Sequence, residues 1–152
     1  MEKIEKVENK NTKSKKKKKN PTKLYTAVGR RKRSVARVWL YNKKGEFTVN
    51  EKSISDVYPE VFQKLIWVKP FHLVGVSHPR SKYSATIKVR GGGESAQILA
   101  IQLGLSRALV KSDSSFKDPL RKNGLMTRDP REVERKKTSQ PKARKKVQYS
   151  KR

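Results

Sequence analysis

Four consecutive cations, Arg30-Arg31-Lys32-Arg33, stand between Gly29 and Ser34. A planar guanidinium holds a phosphate through two parallel hydrogen bonds, and four cations on a loop anchored by sheet can grip a phosphate backbone in fixed register. The bland alternative is a solvated strand entry, but no acid nearby in the chain would pair with them. A second concentration of charge fills residues 127–152. Eleven Lys or Arg stand there against Asp129, Glu132 and Glu134, a net of +8. The cations are Arg128, Arg131, Arg135, Lys136, Lys137, Lys142, Arg144, Lys145, Lys146, Lys151 and Arg152. With almost no apolar residues to bury, this segment reads as an arm that a polyanion must order. Tyr149 lies where no protein core can cover it, so its ring is expected to pack into RNA.

Other chemistries find less support. Gly91-Gly92-Gly93 could cradle an anion at a helix start, or mark a tight turn where a Cβ would clash. A nucleotide-dependent transferase would need a P-loop or GxGxxG pattern, and neither is present; Glu94 would also repel a bound phosphate. His72 and His78 have no Cys, Asp or Glu between them, which argues against a metal. Asp56, Glu60 and Glu94 are scattered, with no paired carboxylates and no Ser/His/Asp set, so no catalytic site, cofactor or small-molecule substrate is expected. Trp39, Tyr41 and Trp67 suit a sheet face or core better than base stacking.

The whole chain has 40 Lys+Arg against 13 Asp+Glu in 152 residues, a formal +27. Charged residues make up 35%, against about 25% of mixed sign in an ordinary domain. Such self-repulsion calls for a counter-charge, and nucleic acid is the first candidate because each phosphate contact releases a condensed counterion. An anionic membrane would ask for an amphipathic helix with large apolar residues beside the basic ones, which neither end offers. There is no cysteine, hence no disulfide or thiolate, and no apolar run near 20 residues. The first residues lack a signal-like apolar stretch and an Arg-rich, acid-poor presequence composition.

Three regions are expected: a Lys-rich extension (1–23), a globular domain (24–126) and the basic arm (127–152). The extension holds ten Lys and three Glu, including the run Lys15–Lys19, and reads as solubilising or loosely RNA-binding. In the domain, Ser34–Tyr41 alternates, with Ala36, Val38 and Leu40 on one face and Arg37, Trp39 and Tyr41 on the other. Asn42–Gly45 signals a turn into a strand over 46–50, so these two strands are expected to form a hairpin. Ser53 and Asp56 cap a short helix. Pro59 opens another, with Val61, Leu65 and Ile66 inward, stopped at Lys69-Pro70. Phe71–Val76 reads as a strand and Ser77–Lys82 as a loop. Tyr83–Arg90 is the clearest strand, and Ser95–Lys111 the best helix, with Ile98, Ile101, Leu105 and Ala108 at helical spacing. Asp113 or Ser114 caps a last helix that Gly124 closes. The pattern predicts an α+β two-layer sandwich: one mixed sheet, helices on one face, and Arg37, Lys88 and Arg90 on the other for solvent or RNA.

In these residues the chain resembles the family of the ninth protein of the small ribosomal subunit, in its bacterial and organellar form. The matching stretches are Gly29–Val38; Val89–Gly93 with the helix ending Leu105-Ser106-Arg107-Ala108-Leu109; Leu120-Arg121-Lys122; Thr127–Lys137; Lys142–Lys146; and Gln148–Arg152. The resemblance implies a fold shared with a domain of the fifth small-subunit protein. It implies a seat in the subunit head, on the 3′ major domain of the rRNA and beside neighbouring head proteins. It also implies an arm that threads through rRNA to the peptidyl site, where Ser150, Lys151 and Arg152 approach the anticodon stem-loop of tRNA. The rRNA contacts would then fall to Arg30, Arg31, Lys32, Arg33, Arg37, Lys88 and Arg90 on the domain, to the arm cations from Arg128 to Lys146, and to Tyr149. The ribosome would be that of a bacterial cytoplasm or of an organelle, plastid stroma or mitochondrial matrix. Tyr149 stands where the family more often has Phe, and the Lys-rich extension is outside the family's usual pattern. The rivals are a small-molecule kinase on the same superfold and a free-standing nucleic-acid chaperone.

Overall fold

The computed structural model describes residues 23–150; most of the Lys-rich extension, Lys151 and Arg152 lie outside them. Five strands form one sheet: β1 Leu24–Arg31, β2 Ser34–Tyr41, β3 Phe47–Val49, β4 Lys52–Ser53 and β5 Ser84–Arg90. Their order is β1-β2-β5-β3-β4. β5 pairs antiparallel with β2 and parallel with β3, so the sheet is mixed. The helices are α1 Ile54–Val57, α2 Val61–Leu73, α3 Pro79–Lys82, α4 Glu94–Ser112 and α5 Lys117–Lys122, with a 3-10 turn at Ser114–Phe116.

Side-chain alternation is as the sequence indicates. Ala36, Val38 and Leu40 on β2 and Ala85, Ile87 and Val89 on β5 are buried under the helices, while Arg37, Lys88 and Arg90 point the other way. The pairing differs. β2 and β3 do not form a hairpin, because β5 inserts between them. Two adjacent alternating runs look like a hairpin locally, yet β5, apolar on its inner face, buries more when flanked on both sides.

A strand the periodicity did not single out, β1, forms the edge. Its two buried positions, Ala27 and Gly29, are small, and the reason is α4. A Cβ on Gly29 would lie 1.9 Å from the Ala100 carbonyl oxygen and 2.5 Å from the Gly104 nitrogen; one on Gly104 would lie 2.7 Å from a Val38 methyl. Two glycines thus let a helix backbone approach a strand backbone. At this closeness α4 also covers the open edge of β1. Lys111 Nζ donates to the Thr26 carbonyl at 2.6 Å and Arg107 Nη1 to the Val28 carbonyl at 2.9 Å, which blocks further strand addition there.

α2 begins after Glu60 and continues through Pro70, where a stop is expected. Proline removes the N–H that would bond the carbonyl four residues back, that of Ile66. Gln102 Nε2 on α4 donates to that carbonyl at 2.7 Å, so the tertiary contact replaces the missing bond. The expected strand at Phe71–Val76 is therefore the end of this helix and its turn. Its inward residues are Trp67 and Phe71, which pack on Phe47 with ring centroids 5.2 and 5.5 Å apart. Val61 and Leu65, expected inward, are exposed. Ser53 occupies the cap position of α1 without a side-chain bond. Asp113 does cap the 3-10 turn, accepting from the Ser115 N–H at 2.9 Å. Gly124, at φ 71°, ends α5. Leu125 and Met126 are the last residues packed on the core.

Gly29→Ala should cost about 1–3 kcal/mol through overpacking, whereas Gly93→Ala, with nothing within 4 Å of its added Cβ, should stay within roughly 0.5 kcal/mol. Thermal unfolding of the purified chain measures both.

Candidate nucleic-acid interface

The four-cation segment is the end of a hairpin rather than a loop. Arg30 and Arg31 belong to β1, and Lys32-Arg33 alone make the turn into Ser34. Lys32 takes a left-handed φ of 47°, which is uncommon for a lysine and explains why no Asn-Gly type signal marked the hairpin. Strand alternation then separates the two arginines. Arg31 turns to the helical side and is half-buried, while Arg30 is exposed; both still border the cavity that Leu99, Gln102 and Asp129 line.

The glycine turn presses against this hairpin. Ser34, fully buried, donates from Oγ to the Gly91 carbonyl at 2.9 Å, and Gln97 Nε2 donates to the same oxygen at 3.2 Å. A Cβ on Gly91 would sit 2.7 Å from the Arg33 carbonyl oxygen, and one on Gly92 would overlap Ser34 Oγ. Both glycines have positive φ, 73° and 67°. Of the readings open for this turn, close backbone approach accounts for both. On the far side Asn50 replaces a missing strand partner: its Oδ1 accepts from the Val89 N–H at 3.0 Å and its Nδ2 donates to the Val89 carbonyl at 3.2 Å. The end of β5 is therefore held rigidly from both sides.

This rigidity fixes the cations of the open face. Arg37 lies directly opposite Lys88 in the β2–β5 register, and Val35 opposite Arg90. With Arg33 and Gly91 they line a groove that contains no acid. Like charges facing each other across two strands repel, so the groove is complementary to an anion. Trp39 and Tyr41 continue the same face and are half-buried, whereas Trp67 is core. Among the described residues no His, Cys, Asp or Glu group could hold a metal ion, and no described helix is long and apolar enough to cross a membrane.

With no acid near them in the chain, the hairpin cations find their acids in the distant arm. Arg31 Nη2 pairs with Asp129 Oδ2 at 3.0 Å, and its Nη1 donates to the Arg131 carbonyl at 2.7 Å, 100 residues away in sequence. Arg33 Nε meets Glu132 at 3.5 Å. Asp129 also accepts from the Arg131 N–H at 3.0 Å and from its guanidinium at 2.7 Å. Glu134 holds Arg144 at 2.8 Å and Lys137 at 3.6 Å, folding the arm back on itself. All three arm acids are thus used within the chain. Arg128, Arg135, Lys136, Lys142, Lys145 and Lys146 are exposed and make no ion pair among the described residues. Tyr149 is fully exposed, and Val133 and Val147 are exposed too. Ser150 is the last residue described, so the tip at Lys151 and Arg152 lies outside. A sequence clue to the anchor existed: acids are rare in so basic an arm, and Asp129 is placed two residues before Arg131, the spacing of an Asx turn.

The Arg131 side chain and N–H, with Arg31 behind them, hold the Asp129 carboxyl well below the usual carboxylate range. A lowered pKa favours the folded arrangement above the unfolded pKa, about 3.9 for Asp. The anchor should be complete at neutral pH and be lost only as pH falls below about 4. Asp129→Asn should speed amide exchange at Arg131 at pH 7 while leaving exchange in β5 unchanged.

Comparison with known proteins gives the family. The family model described as Ribosomal protein S9/S16 matches residues 29–152. Proteins called small ribosomal subunit protein uS9 are similar over most of the chain. That of Cytophaga hutchinsonii is 48% identical over 83% of this chain and 96% of its own. That of Rickettsia africae is 48% identical over 99% of this chain and 96% of its own, and that of Azobacteroides pseudotrichonymphae 43% over 85% and 98%. The Rickettsia match takes in the Lys-rich extension. With matches of this extent, the chain belongs to the ribosomal protein S9/S16 family, a family of structural ribosomal proteins and not of enzymes.

Proposed function

We propose that the chain is a structural constituent of the small-subunit head. In this reading it binds the 3′ major domain of the rRNA and sends its C-terminal arm to the tRNA in the peptidyl site. The observation that carries the RNA contact is the acid-free groove in which Arg37 faces Lys88, flanked by Arg90 and Arg33. Cations held opposite one another by a rigid sheet raise the energy of the free protein, and a phosphate backbone relieves it. The contacts are to phosphate, so they position the protein rather than read sequence.

The cations divide by role. Arg37, Lys88 and Arg90 present a fixed surface, and Arg30 is exposed near the root of the arm. Arg31 and Arg33 hold the root of the arm, and Arg33 remains largely exposed for a phosphate as well. Arg128, Arg135, Lys136, Lys142, Lys145 and Lys146 carry the arm along RNA, together with Lys32 at the hairpin tip. Arg131, Lys137 and Arg144 reach rRNA only by sharing or exchanging their acids. Tyr149 packs against RNA, and Ser150, Lys151 and Arg152 meet the anticodon stem-loop through sequence-blind phosphate contacts, as suits a site that accepts every tRNA. Names of bacterial relatives at 43–48% identity favour a ribosome in a bacterial cytoplasm.

Replacing Arg37, Lys88 and Arg90 together with Ala should lower the salt slope of binding to a 3′ major domain rRNA fragment by about 3, roughly one per lost phosphate contact. The thermal midpoint of the free protein should hold or rise, because the repulsion is gone. An unchanged slope would show the face to be merely solvated. Deleting Lys151-Arg152 should leave incorporation into subunits intact and weaken retention of peptidyl-site tRNA in a filter-binding assay.

A further inference from the structure

α2 is apolar on two sides. Trp67 and Phe71 face the core, while Val61, Phe62 and Leu65 are 74%, 71% and 59% exposed on its first two turns. Val61, Leu65 and Val68 share one helix face, at positions i, i+4 and i+7. They floor a groove of about 460 Å³ that α3 closes on the other side. Its rim is Lys64, His72, His78 and Arg80, and no acid lines it. Arg80 is held there by donating from Nη2 to Ser55 Oγ at 2.7 Å. None of this is used by the cationic sheet face, which lies on the opposite side of the sheet.

Charge and chemistry select the occupant. A second copy of this chain would bring another +27 to a cationic rim. The chain's own first 23 residues carry ten Lys against three Glu and are repelled likewise. RNA would be drawn to the rim but has nothing aliphatic to match a floor of Val61, Leu65 and Val68. We propose that this groove docks an apolar, acid-bearing segment of a different protein of the small-subunit head, its apolar side chains covering Val61, Leu65 and Val68 and its carboxylates meeting Lys64 and Arg80. The proposal rests on the ribosomal reading and adds to it a protein-facing surface distinct from the RNA-facing one.

The test places the photo-crosslinking residue p-benzoylphenylalanine at position 72, an exposed residue of the groove rim, in the full chain in growing bacteria and irradiates purified small subunits. The expected adduct is to one other protein, at a peptide that carries both apolar and Asp or Glu residues. Adding Val61→Asp and Leu65→Asp, both at exposed positions that leave the core intact, should lower its yield on the order of tenfold, through lost apolar burial and repelled carboxylates. An adduct to rRNA, to residues 1–22, to a second copy, or no adduct at all in subunits that contain the protein would overturn the docking proposal alone. Absence of the crosslinker-bearing and the unsubstituted chain from the small-subunit peak would overturn the ribosomal reading and this proposal with it.

Discussion

The close approach of α4 to β1 at Gly29 and Gly104 supports most of the rest. With a Cβ on either residue the helix would stand off, and four further contacts would weaken. Lys111 and Arg107 would no longer reach the edge carbonyls of β1. Gln102 would be drawn away from the Ile66 carbonyl that Pro70 leaves free. Gln97 would lose its hold on the Gly91 carbonyl, and with it part of the lock between the two turns. A single steric allowance therefore fixes the edge, the proline helix and the place where cations meet.

Electrostatics act on top of that frame, in two opposite ways. On the sheet face like charges are held together with no acid among them, which suits a polyanion. In the arm, scarce acids are shared among cations of the hairpin and of the arm itself, two of the three acids each holding two cations. Most of these pairs are exposed and contribute little stability each. Arg31–Asp129 is the most enclosed, with side chains 13% and 32% exposed, and it is reinforced by a backbone contact. Its effect is direction rather than strength, because it makes the arm leave the domain from the cationic hairpin.

Much of the architecture was legible from periodicity. β2, β5 and α4 stand within a residue or two of their expected bounds, and the basic and apolar faces of the sheet were assigned correctly. The departures from local pattern share a cause. β1 gives little apolar alternation because its buried positions are Ala27 and Gly29, small for reasons set by α4, and Arg31 ends its inner side. The continuation of α2 through Pro70 depended on a glutamine 32 positions further on. The β2–β3 hairpin failed because a strand from far along the chain intervenes. In each case a partner distant in sequence decided the outcome of a local pattern.

The sequence by itself determined that this protein answers to a polyanion. An excess of 27 positive charges cannot be neutralised internally in any fold. It also determined the alternation that puts apolar and basic residues on opposite faces of β2 and β5, because side chains in a strand must alternate. Only the tertiary structure decided which cations remain free. Arg31 and Arg37 look alike in sequence, yet one is spent on Asp129 and the other stands open beside Lys88. Ion pairing depends on a few ångströms of separation, and folding alone brings residue 31 to residue 129.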